Sequence, residues 1–218
     1  MPNITLYFLQ ASRSIRTAWQ LEELNLDYKV EFADREGNKA PQHFKTSSGD
    51  TLGKFPVLKD DDLTVAESGA IAEYLCDHYD PDHRLLPTDN VQRAATQRWV
   101  HAAEGTFGLH GLAVLYARWS GSDHPDAVKA ITDGLSVNVG KDLDFLESEL
   151  AKGDGRFLVG DHVTIADCMM LFSVQFILAR DLGVNGRKWD KVDEWIRKCE
   201  ATESYQTAVR NTGHTLDP

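Results

Sequence analysis

Long apolar runs are missing from this chain. None of its 218 residues fall in a stretch approaching the roughly 18 apolar residues that a transmembrane helix needs, so no membrane partner is expected. The opening residues, MPNITLYFLQ, have no basic start and run into the polar Ser12-Arg13-Ser14, which reads as a strand and not as a signal peptide. A cytoplasmic location is the expectation. Cysteine is scarce as well: Cys76, Cys168 and Cys199 are far apart and form no CxxC pair. Cys76 and Cys168 sit in apolar helical patterns, where a small buried hydrophobe is the expected role. The eight histidines form no HExxH or similar set, so neither a metal site nor a tightly bound cofactor is expected. Basic residues are outnumbered, 23 against 34 acidic, and the net charge of -11 repels nucleic acid; no basic block offsets it locally. Only 7 Pro and 16 Gly accompany 42% hydrophobic and 26% charged residues, an ordinary globular mixture with enough apolar material for a real core.

The periodicities divide the chain in two. Ile4 to Leu9 and Tyr28 to Phe32 are β-rich runs flanking a helical pattern over Ser14 to Leu24, with Ile15, Ala18, Trp19 and Leu21 on one face. A β-α-β opening with parallel strands follows. After a polar stretch with a short helix near Pro41 to Thr46, Phe55–Leu58 and Leu63–Ala66 are two short strands; the acidic turn between them favours an antiparallel hairpin. A helix over Ser68 to Tyr79 closes this part. The segment DPDHRLLPTD then carries linker composition, and everything beyond it reads helical. The expected domains are residues 1–80 as a mixed α/β unit, 81–88 as a linker and 89–218 as an all-helical unit. In the latter, Asp89 caps a long helix reaching about Trp119, with Val91, Ala94, Ala95, Trp99, Leu109, Leu112 and Leu115 as its apolar positions. Gly105, Gly108 and Gly111 are expected to bend it or permit close packing. A second helix runs from Pro125 to about Leu150. The nearly all-apolar stretch from Thr164 to about Arg180 is the central buried helix, with Thr164-x-x-Asp167 as its capping box. Helices over Asp190 to Glu200 and about Thr202 to Arg210 lead into a tail that frays or lies across a groove.

Three places in the first part offer chemistry. A strand feeding a helix that begins at Ser12 to Ser14 presents free amides and the positive helix end, which favour an anion such as a thiolate, and a serine hydroxyl adds a direct bond. Phe55-Pro56-Val57 places a proline without N–H at a strand start, where neighbouring backbone groups can pair with an extended peptide. At Glu67-Ser68 a strand ends and a helix starts, so one pair of residues can read an ammonium and a carboxylate together.

In order and spacing, ASRSIRTAWQLEELNLDYKV (Ala11 to Val30), LGKFPVL (Leu52 to Leu58), VAESGAIAEYL (Val65 to Leu75) and FLVGDHVTIAD (Phe157 to Asp167) resemble the cytosolic glutathione transferase family, in its serine-type, theta-like and fungal or bacterial members. The resemblance runs from residue 4 to about 200. It implies an α/β plus all-α fold, a thioredoxin-like N-terminal domain with an all-helical C-terminal bundle. It implies glutathione as co-substrate, an apolar electrophile as second substrate, and a homodimer. By position, Pro56 matches the family's cis-proline and Val57 the residue whose backbone pairs with glutathione, with Phe55 alongside. Glu67 and Ser68 match the pair that holds the γ-glutamyl group; Lys54, with His43 nearby, matches the reader of the glycine carboxylate. Ser12 matches the serine that activates the thiol, with Ser14 and then Tyr7 as alternatives and Arg13 adding positive potential. Tyr7, Phe107, His110, Tyr116 and Trp119 are candidates for the electrophile pocket. The absence of a cysteine near Ser12 argues against the thiol–disulfide exchange branch. The implied activity is conjugation, detoxification chemistry with peroxidase as a side reaction. The alternatives are a non-catalytic glutathione-binding protein and a glutathione-dependent isomerase, dehalogenase or etherase.

Overall fold

Strand β1 (Ile4–Leu9) sorts its side chains by the two-residue period of a strand: Ile4, Leu6 and Phe8 enter the main core, while Tyr7 and Leu9 face a smaller cluster with Phe44, Phe55 and Val57. The computed structural model describes residues 3–153 and 156–216. Helix α1 (Ser14–Glu23) carries the chain from β1 to the parallel strand β2 (Tyr28–Ala33), and α2 (Gln42–Ser48) precedes the hairpin of β3 (Val57–Asp60) and β4 (Leu63–Ala66). The sheet order is β2-β1-β3-β4, with β3 antiparallel to both of its neighbours. Helix α3 (Ser68–Tyr79) completes this thioredoxin-like half. The peptide bond Phe55-Pro56 is cis, and β3 begins only after it, two residues later than the sequence pattern suggests.

The helical half contains α4 (Asn90–Ala102), a π-helical segment (Ala103–Gly108), α5 (Leu109–Ser120), α6 (Pro125–Lys152), α7 (Ile165–Ala179), α8 (Asp190–Glu200) and α9 (Glu203–Thr212). Asp89 caps α4 by accepting from the amides of Val91 and Gln92. The expected single helix from Asp89 to Trp119 is interrupted by the π segment, whose extra residue per turn rotates the apolar stripe. Val91 and Leu109, expected among the apolar positions, are exposed, Val91 in the first turn of α4 and Leu109 directly after the π segment, whereas Trp99, Val100 and Phe107 are buried. Close approach explains two of the three glycines: a Cβ would come within 2.8 Å of Ile177 on α7 at Gly111 and within 2.8 Å of the Ala103 carbonyl at Gly108.

Helix α7 is buried along almost its whole length. Its start is held by Asp167, which is fully buried and accepts from the Thr164 amide (3.0 Å), the Thr164 hydroxyl (3.1 Å), the Leu158 amide (3.0 Å) and Trp195 Nε1 (3.0 Å). All three cysteines are buried, and burial raises the thiol of Cys76 to about 12. The halves share one apolar core. Trp19 on α1 donates its indole N–H to Ser204 at 3.0 Å and meets the ring of Tyr205 edge-on. This docking covers α1 on all sides, so Arg16, Thr17 and Gln20 are buried together with its apolar face. The tail beyond α9 lies against β1: Gln10 Nε2 donates to the Gly213 carbonyl at 2.8 Å, and the His214 ring packs against Phe8 and Phe172. Among the described residues no helix is long and apolar enough to cross a membrane.

Candidate active site

The turn from β1 into α1 is tight. Ala11 adopts φ +52°, which a residue with a Cβ rarely accepts. Three hydrogen bonds hold it there: Arg35 Nε donates to the Gln10 carbonyl at 2.9 Å, Arg35 Nη2 donates to the Ala11 carbonyl at 3.1 Å, and the Ala11 amide donates to Gln10 Oε1 at 2.9 Å. Glu67, between β4 and α3, has φ +72°. The remaining non-glycine residues in this region are Asn, Asp and His, which tolerate it through short polar side chains. Ala11 and Glu67 do not have that explanation, and both line the same cleft.

The cleft has a volume of about 540 Å³, the size of a small-molecule site, and lies between the two halves. Ser12 is on its wall. Ser12 Oγ lies 2.7 Å from the Leu9 carbonyl and 2.9 Å from Ser14 Oγ, and accepts from the Ser14 amide at 3.1 Å. Across the cleft Glu104, in the π segment, receives Arg13 Nη1 at 2.5 Å and Arg16 Nη1 at 2.6 Å. Arg16 also donates to Ser68 Oγ at 3.0 Å and, through Nη2, to Ser173 Oγ at 2.6 Å, tying α1, α3, α7 and the π segment together. Burial lowers the Arg16 guanidinium to about 10, with Glu104 opposing the shift, so it stays charged at neutral pH. The lining holds seven basic residues (Arg13, Arg16, Arg35, Lys39, Lys45, Lys54, Arg180) against three acidic ones (Asp50, Glu67, Glu104). An acidic protein therefore presents a positive cleft.

The structure brings Ser12, Arg13, Lys54, Phe55, Pro56, Glu67, Ser68, Tyr116 and Trp119 to this cleft. It does not bring six others. Ser14 is fully buried behind Ser12, where its hydroxyl accepts from the Leu9 amide at 3.4 Å. Tyr7 shares the face of β1 with Leu9 but lies one strand repeat further from the cleft, packed against Phe44, and its hydroxyl accepts from Lys59 at 3.2 Å. The Val57 side chain is fully buried within the sheet between Tyr7 and Ala66 and does not line the cleft, where Phe55 and Pro56 do; the role expected of Val57 is its backbone's, which this burial does not contradict. His43 is exposed on α2, while Lys45, half a turn further, lines the cleft. The π segment directs Phe107 into the core beside Trp99, and His110 toward α6, where Nδ1 meets Asp142 at 2.6 Å. Sequence reading missed Arg16, Arg35, Glu104, Phe172, Phe176 and Arg180 as lining residues. The Glu104–Arg16 pair spans 88 positions, so no local spacing marks it.

Residues 2–77 match the family model described as the N-terminal domain of glutathione S-transferase, and residues 115–203 match its C-terminal domain. The glutathione S-transferase-like protein tpcF of Aspergillus fumigatus is 30% identical over 219 residues, 94% of either chain. The maleylacetoacetate isomerase of Rattus norvegicus is 32% identical over 170 residues, 76% of this chain and 73% of the isomerase. A glutathione S-transferase from Actinobacillus pleuropneumoniae superposes with a TM-score of 0.81 at 30% identity, covering 98% of this chain and 94% of that one. The chain belongs to the glutathione S-transferase family. Fold and relatives together support glutathione-binding transferase chemistry in general.

Proposed function

We propose that this chain is a serine-type glutathione transferase in which Ser12 steadies the glutathione thiolate for attack on an electrophilic carbon. The observation that carries this reading is the position of Ser12: among the three candidate hydroxyls it is the one on the cleft wall, at the entry to α1. Ser12 has one proton, directed in the free protein toward Leu9 or Ser14; rotation about χ1 turns it to a sulfur in the cleft. The amino end of α1 and the charges of Arg13, Arg16 and Arg35 act in the same direction. Lowering a thiol from about 8.5 by about two units needs about 2.7 kcal/mol, within reach of one charge-assisted bond and a helix end.

Glutathione lies with its γ-glutamyl group at Glu67, Ser68 and the start of α3, and its glycine carboxylate toward Lys39, Lys45 and Lys54. The thiol proton leaves to solvent through the open cleft. The sulfur then forms a bond to carbon as the leaving group departs with its electron pair; with a conjugated acceptor, that pair moves onto the carbonyl and a proton from water completes the addition. The apolar wall of Leu112, Leu115, Tyr116, Trp119, Phe172 and Phe176 receives the second substrate. A homodimer belongs to the same proposal and rests on the family. Ser12→Ala should lower kcat by on the order of 10- to 100-fold with little change in glutathione affinity; full turnover in that variant would refute the role of Ser12.

A second reading, glutathione-dependent isomerisation, is favoured by the likeness to the rat isomerase. There the same thiolate adds to a cis double bond and leaves after rotation, so glutathione is not consumed. Following glutathione consumption alongside loss of an unsaturated keto acid separates the two.

A further inference from the structure

Two arginines lining the cleft, Arg180 and Arg35, meet no carboxylate among the described residues. Arg180 ends α7 one turn beyond Phe176, and its guanidinium lies over that ring, 5.5 Å from the centroid. Its Nη2 donates to the Leu216 carbonyl at 3.0 Å, and its Nε is buried with no partner among the described residues. Arg35 spends its donors on three backbone carbonyls, those of Gln10, Ala11 and Asn38. Neither arginine meets a carboxylate in any ion pair of the described residues. The two are close enough to feel each other: burial first, and then the fields of Arg180 and Arg13, lower the guanidinium of Arg35. Like charges gathered against aromatic rings are costly unless an anion joins them.

The position of the pair says which anion. The lysines stand at the α2 end of the cleft and Ser68 at the α3 end, where the proposed reading already seats the two carboxylates of glutathione. Arg180 comes instead from the helical half, on the same wall as Phe172, Phe176, Tyr116 and Trp119. An apolar pocket for neutral electrophiles has no use for two guanidiniums that meet no carboxylate among the described residues.

We propose that the second substrate is an organic acid, an aromatic or conjugated body seated on this wall with its carboxylate, or an equivalent anion, received by Arg180 and attracted by Arg35. This rests on the transferase reading and names the substrate class of its apolar site. A planar carboxylate matches the fork of a guanidinium, and the half-buried setting strengthens the pair over its value in water.

Calorimetric titration with two stable thioethers tests it: S-(para-carboxybenzyl)glutathione and its carboxamide, S-(para-carbamoylbenzyl)glutathione, which differ in charge and little in shape. The acid should bind about tenfold more tightly at low ionic strength. The preference should fall to within about twofold in Arg180→Gln and survive in part in Arg180→Lys, which keeps the charge without the fork. Equal affinities in the wild type, or an unchanged preference in Arg180→Gln, overturn the proposal. So does an equal loss for both thioethers and for glutathione itself, which would assign Arg180 to the tripeptide. Neither probe has a thiol to ionise. An acid preference with a normal bound thiol would therefore remove the transferase reading alone, and an ionised thiol without the preference would remove the anion site alone.

Discussion

A hydroxyl near an anion matters only if it can reach it, and the three candidates of the opening strand differ in this. Tyr7→Phe should leave the ionisation of bound glutathione unchanged, because the phenol faces Lys59 across the sheet; a shift in the ultraviolet thiolate signal would contradict this. The sequence supports Ser12, Ser14 and Tyr7 as alternatives because the sense of a two-residue offset depends on the turn at Ala11, and an alanine at φ +52° has no signature in its residue type. The same holds for His43 and Lys45, separated by half a helical turn. His214 carries a different prediction. Burial against Phe8 and Phe172, without a hydrogen-bond partner among the described residues, lowers its pKa from 6.5 to about 4. The unfolded chain therefore takes up this proton first as pH falls, and stability should decline from about pH 6.5 toward pH 4, by at most about 3 kcal/mol. Denaturation at a series of pH values should show the stability of the wild type falling relative to His214→Leu over that interval. Parallel pH profiles would show that the imidazole is hydrated.

Elements were legible where periodicity and caps agree. The parallel β1–α1–β2 unit, the β3–β4 hairpin and the α6, α7 and α8 spans follow from alternation, helical spacing and end signals. The long helix after Asp89 did not read correctly, since a π segment shifts register without a distinctive composition and so moves Phe107 and His110 off the cleft. The capping box of α7 reads from four residues, but its full importance does not. Trp195 and Leu158 also depend on Asp167 and lie outside the motif. Asp167→Ala leaves those donors unpaired in the core, and should lower the unfolding free energy by about 3–5 kcal/mol. Urea denaturation should show this as a lower midpoint with an unchanged slope; a loss below about 1 kcal/mol would mean that water replaces the carboxylate.

At the scale of the molecule, charge and docking act together. A net charge of -11 would repel an anionic tripeptide, yet the cleft gathers an excess of basic side chains. Steady-state kinetics should show KM for glutathione rising severalfold from low salt to about 0.5 M sodium chloride, with kcat changing less. An unaffected KM would show that the charges around the cleft do not attract the tripeptide. Glu104 joins the halves through Arg13 and the buried Arg16. Glu104→Gln leaves Arg16 without its carboxylate; allowing for the partial exposure of Glu104, the expected loss is about 1–3 kcal/mol in urea denaturation. Such ties between distant segments are what a single sequence conceals: the order of strands and helices follows from pattern, but the core shared by the halves and the side chains that meet across the cleft do not.

Everything proposed for the chemistry depends on a sulfur anion held beside Ser12. The direct measurement is ultraviolet titration of glutathione bound to the wild type and to Ser12→Ala. The account predicts ionisation about two units below the free value of about 8.5 in the wild type, and a return most of the way in the variant. Ionisation near the free value in both, or equally depressed in both, would contradict it.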